Sequence, residues 1–111
     1  MSFYTCIKTE LKVKKYIISA LEEMKKRGEI KGFVYSEKKE KVEVDRDGDI
    51  LNISMLKEDV EIGGDNRVVH RFGNRLKQFY AYESIKDNLP LDFEIASENE
   101  IGGEIQILLK G

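Results

Sequence analysis

The sequence predicts an α+β fold, with one antiparallel sheet of about five to seven strands and two helices packed on one face of it. Three observations carry this prediction. Apolar residues alternate with polar ones near the start of the chain and again between Val42 and Met55, the period of strands with one buried face. Between about Glu10 and Arg27 the apolar spacing lengthens to three and four residues, the period of an amphipathic helix. An Asp-Gly pair stands between two alternating runs, which is the strongest short-range signal for a hairpin.

Taken in order, Phe3, Thr5 and Ile7 alternate with Tyr4, Cys6 and Lys8 as a first strand. Val13, Ile17, Ala20, Leu21 and Met24 then mark the buried stripe of the first helix. Lys25, Lys26 and Arg27 complement the negative end of its dipole, and Gly28 is placed to close it in the left-handed conformation. Ile30 and Phe33 to Tyr35 form the next apolar stretch, followed by Val42 and Val44, then Leu51, Ile53 and Met55. A tight turn is expected at Asp47-Gly48. Val60 and Ile62, a turn at Gly63-Gly64-Asp65-Asn66, and Val68, Val69 and Phe72 read as a second hairpin. A second helix is expected from about Gly73-Asn74, capped by Asn74, to Asn88, with Pro90 as its stop. Phe93 and Ile95, a turn at Asn99 to Gly103, and Ile105, Ile107 and Leu109 close the chain as a last hairpin. Helices on one face of an antiparallel sheet give the architecture a ferredoxin-like character.

The 111 residues suffice for one core and not for two, so residues 1–111 are read as a single α+β domain. Charged residues make up 36% of the chain, well above the roughly 25% usual in soluble domains, which calls for a densely charged surface. The totals nearly cancel, 19 basic against 21 acidic, so no global field draws the chain to nucleic acid or to an anionic membrane. Their distribution is uneven: residues 1–41 hold 11 Lys or Arg against 6 Glu, a basic flank. Cys6, the one cysteine, allows neither an internal disulfide nor a thiolate zinc cluster within one chain, which fits a reducing compartment. No apolar run approaches the roughly 20 residues that span a bilayer, and a cytoplasmic location is the expectation.

Four segments carry a family resemblance. They are Met1-Ser2-Phe3-Tyr4-Thr5-Cys6-Ile7-Lys8-Thr9 with Ala20-Leu21 after it, Val60-Glu61-Ile62-Gly63, Leu76-Lys77-Gln78-Phe79-Tyr80-Ala81-Tyr82, and Gly103-Glu104-Ile105-Gln106-Ile107-Leu108-Leu109. In this order they resemble an uncharacterised conserved family of cyanobacterial and plastid genomes, domain of unknown function 1257. The chain departs from that family at Val69-His70-Arg71-Phe72, where its members carry tryptophan. The resemblance implies a compact α+β fold and partnership with other proteins. It transfers no functional residue.

Among candidate sites, Asp45, Asp47 and Asp49 do not form a calcium loop, because Ile50 and Leu56 occupy the positions that need glycine and glutamate. They serve a turn instead. Cys6 and His70 would make a nucleophile pair only if their strands were neighbours; otherwise Cys6 acts as a small hydrophobe and His70 as a surface residue. No catalytic residue, metal ligand or cofactor is assigned. Tyr80 and Tyr82 are either core residues or a partner-binding pair on the second helix. Lys12, Lys15, Lys25, Lys26 and Arg27 either solvate the first helix or face a phosphate backbone. The expected function is a non-enzymatic protein-interaction module, binding another protein or a second copy of itself. Nucleic-acid binding through the basic first helix is the alternative.

Overall fold

The computed structural model describes residues 4–56, 59–89, 94–101 and 104–110. Its elements run β1 (Tyr4–Thr9), α1 (Lys14–Lys26), β2 (Gly32–Ser36), β3 (Lys41–Arg46), β4 (Asp49–Ser54), β5 (Val60–Asp65), α2 (Asn66–Asp87), β6 (Glu94–Ile101) and β7 (Glu104–Lys110). Five strands form one sheet in the order β1-β5-β4-β3-β2, with every pairing antiparallel. β6 and β7 pair as a separate two-stranded sheet, and β7 runs beside α2. The layering is the expected α+β one. The order is a β2 to β5 meander with β1 added beyond β5, so this sheet lacks the parallel pair of a split βαβ unit.

The period-2 pattern decides which face of the sheet is buried. Val42 and Val44 of β3, Leu51 and Ile53 of β4, and Val60 and Ile62 of β5 point to the helices and are inaccessible or nearly so. Ile17, Ala20, Leu21 and Met24 of α1 meet them, as do Val69, Phe72, Leu76 and Phe79 of α2. Each buried side chain of this size stabilises the fold by about 1.5–3 kcal/mol relative to exposure. The alternate residues face away from both helices.

Both expected turns of the N-terminal half are present. Gly28 has φ +79°, and the N–H groups of Gly28 and Glu29 donate to the carbonyls of Lys25 and Met24 at 3.1 and 2.9 Å. These paired bonds close α1 on its last orphan carbonyls. Asp47 and Gly48 have φ of 50° and 96°, the pair of positive angles that matches the twist of a two-residue hairpin. The Asp45 carboxylate accepts from the Gly48 N–H at 3.0 Å, so this aspartate shapes the turn.

The second hairpin expected at residues 60–72 does not exist. β5 continues straight through Gly63 and Gly64 to Asp65, and residues 66–72 are the first two turns of α2. The cap is Asp65, not Asn74: its side chain accepts from the Arg67 N–H at 2.8 Å. Val69, Phe72, Leu76, Phe79 and Tyr82 recur at three- and four-residue steps and are all buried, and this burial outweighs the β preference of Val68 and Val69. The glycine pair answers to packing rather than to turning. A β-carbon on Gly63 would overlap the Tyr4 hydroxyl, and one on Gly64 would stand 2.6 Å from Leu51 Cδ2. The expected stop at Pro90 and turn at Gly102-Gly103 lie outside the described residues.

Candidate functional site

The face of the five-stranded sheet that the helices leave uncovered is the main candidate surface. Strand register places its side chains in rows. Cys6, Gly63, Asn52, Glu43 and Val34 lie across one row, and Lys8, Glu61, Ser54, Lys41 and Ser36 across the next. Three large apolar side chains stand out from this face: Val34 is 71% exposed, Tyr4 68% and Ile50 46%. Val34 and Ile50 flank β3 on opposite sides, and a hollow of about 260 Å³ opens among Val34, Ser36, Lys41, Glu43 and Asn52. Lys39 and Lys41 line that hollow together with Glu43, and a second hollow of about 460 Å³ gathers Val34 and Ile50 with Lys25, Lys31, Glu43 and Asp45, so charge of both signs borders the apolar pair.

Cys6 and His70 do not form a pair. Cys6 is exposed on the uncovered face, with its Sγ 3.7 Å from Glu61 Oε2. Its neighbour Ile7 points the other way, toward Gly73 of α2. His70 lies exposed on α2, so the sheet stands between thiol and imidazole. Among the described residues no three His, Cys, Asp or Glu side chains converge as a metal site. Among the described residues no helix is long and apolar enough to cross a membrane.

The two tyrosines of α2 are engaged inside the molecule. The Tyr80 hydroxyl accepts from the backbone N–H groups of Lys12 and Val13 at 3.4 and 3.1 Å. It thereby serves the entry to α1, whose N-cap residue Val13 has no side chain able to accept. Its ring meets Tyr16 edge to face at 5.7 Å. Tyr82 is buried, with the Lys86 ammonium 4.4 Å and the Arg27 guanidinium 5.7 Å from its ring centre.

The basic residues of the N-terminal segment are not gathered into one patch. Lys15 pairs with Asp87 at 3.1 Å, and Arg27 with Glu23 at 2.9 Å. Lys12 precedes α1 while Lys25 and Lys26 end it, at opposite ends of a 13-residue helix. Lys15, Tyr16, Asp87 and Asn88 form one polar cluster joining the helices. Tyr16 donates to Asp87 at 2.7 Å and Asn88 Nδ2 donates to Tyr16 at 3.0 Å. The hydrogen bond from Tyr16, then that from Lys15, holds the Asp87 carboxyl below its ordinary range, and the same contact raises Lys15.

A second polar assembly went unread in the sequence. A hollow of about 280 Å³ on the helix side is lined by Met24, Glu29, Arg46, Arg71, Phe72 and Arg75. Arg75 forms a two-pronged pair with Glu29 at 2.7 and 2.6 Å, and also donates to Gln78 at 2.9 Å. Arg71 and Arg75 stand one turn apart on α2, a spacing that the strand composition of Val68 and Val69 masks in the sequence. Arg46 reaches the same place from the end of β3, which no local pattern shows.

Comparison of the chain with models of protein families, with curated proteins and with solved structures finds no match.

Proposed function

We propose that this protein is a non-enzymatic interaction module that docks a partner protein on the uncovered face of its five-stranded sheet. The observation that carries this reading is the exposure of Val34, Ile50 and Tyr4 on the sheet face opposite the helices. Exposed apolar side chains in a polar surround mark protein contact surfaces when they cluster. Val34 and Ile50 stand on either side of β3 and line one open hollow. Lysines and carboxylates both border the pair, which suits a partner whose apolar patch carries a rim of mixed charge.

Ion pairing disfavours the alternative. On the helix side of the molecule Lys15 and Arg27 are already neutralised by Asp87 and Glu23, which weakens the pull of the basic helix on a phosphate backbone. Self-association is the same reading with a second copy as partner, open to sedimentation velocity on the purified protein.

The test is recovery of the tagged chain from its native host with and without nuclease. A defined protein retained in stoichiometric amount after nuclease supports the module. Nucleic acid retained through moderate salt, with no such protein, would overturn it in favour of the basic helix.

A further inference from the structure

We propose that the hollow bounded by Arg46, Arg71 and Arg75 binds a small oxyanion ligand, a phosphate or carboxylate carried on a compact apolar body. Ion pairing across the molecule singles this place out. Of the five arginines, Arg27 is paired with Glu23 and Arg67 with Asp65. The other three converge on one hollow that holds a single carboxylate, Glu29. Arg75 takes both oxygens of that carboxylate. Among the described residues Arg46 and Arg71 have no ion-pair partner, in a chain whose acids outnumber its bases.

Gathering like charges has a cost, and Arg71 and Arg75 at a four-residue spacing repel along the helix itself. Glu29 offsets the charge of Arg75, and an anion seated between Arg46 and Arg71 balances the two charges that Glu29 does not. Guanidinium groups offer paired N–H donors in a plane, the geometry that oxyanions accept. Arg75, held in place by Glu29, Gln78 and the Phe79 ring 4.9 Å away, forms a fixed wall. Met24 and Phe72 supply an apolar floor, and the volume lies at the small end of ligand sites, which limits the body to about one ring. The site lies on the helix side and stands independently of partner docking on the open face.

Isothermal titration of the purified full chain with phenyl phosphate, benzoate and inorganic phosphate tests the proposal. Saturable one-to-one binding of phenyl phosphate or benzoate is expected, at least about tenfold tighter than that of inorganic phosphate, which lacks the body for the floor. The tighter of the two aromatic probes names the head group. Arg71→Gln, an exposed position that tolerates the change, should weaken binding about tenfold, and Arg46→Gln likewise. Lys77→Gln removes the same charge from an exposed position of the same helix and should leave affinity unchanged. Circular dichroism confirms that each variant is folded. No saturable binding of either aromatic probe at millimolar concentration would overturn the proposal. So would an equal loss in Lys77→Gln, which would show only general charge attraction.

Discussion

The two faces of the five-stranded sheet put the same kinds of side chain to opposite uses. On the helix side, aromatic and basic residues that looked available in the sequence are consumed by the fold. Tyr80 serves the start of α1, Tyr82 lies beneath Arg27 and Lys86, and Lys15 is tied to Asp87. On the other side Val34, Ile50 and Tyr4 project from well-paired strands toward solvent. The difference teaches that a residue's chemistry marks it as functional only after its internal obligations are counted. In a small domain those obligations are many, because 111 residues bury little surface and each contact matters.

Substitutions should separate the two faces in order of size. Phe79→Ala removes a fully buried ring between α1, α2 and the sheet and should cost about 3–5 kcal/mol in urea unfolding. A loss below 1 kcal/mol would mean that the helix layer contributes little. Gly64→Ala places a methyl group against Leu51 and should cost about 1–3 kcal/mol, since the fully buried leucine has little room to yield. Tyr80→Phe keeps the ring but leaves two backbone N–H groups without their acceptor, for a loss of about 0.5–1.5 kcal/mol.

The polar link between the helices adds a pH dependence of known sign. The folded carboxyl of Asp87 titrates below its unfolded value, so its stabilisation is complete above the ordinary carboxylate range and is lost as pH falls through the lowered value. The thermal midpoint of Asp87→Asn should therefore fall below that of the wild type at neutral pH and converge with it in acid. A gap that is constant with pH would detach the effect from the charge. At the other extreme, Val34→Glu on the open face should change stability by less than about 1 kcal/mol, because the side chain is already in water and only Glu43 across the strand pair opposes the new charge.

Much of the fold was legible because local and tertiary demands agree. Asp47-Gly48 needs positive φ at both positions, and the alternation on either side needs one buried face; each fact supports the other. Gly28 and the stripe from Ile17 to Met24 agree in the same way. The reading failed where they conflict. Gly63-Gly64 has turn composition, yet the second glycine lets Leu51 pack close to β5 and the first lies beneath Tyr4, a partner 59 positions away in the chain. Val68-Val69 has strand composition, yet Asp65 caps a helix ahead of it and Phe72, Leu76 and Phe79 continue its buried stripe.

The candidate site was less legible for a related reason. Aromatic composition identified Tyr80 and Tyr82 without showing that their rings and hydroxyl face inward. Charge counting found the basic flank without showing that Asp87, distant in sequence, neutralises part of it. Conversely, Val34 and Ile50 are ordinary strand residues until register places them on either side of β3, and Arg46 joins Arg71 and Arg75 only through the folded core.

The contrast between the faces reduces to one measurement, the amount of partner protein that copurifies with Val34→Glu relative to wild type from nuclease-treated extracts, with the thermal midpoint of the purified variant recorded alongside. Docking on the open face predicts at least a tenfold loss of partner with a midpoint lowered by no more than a few degrees. Full retention of partner by a normally folded Val34→Glu chain would contradict it and move the contact elsewhere on the molecule.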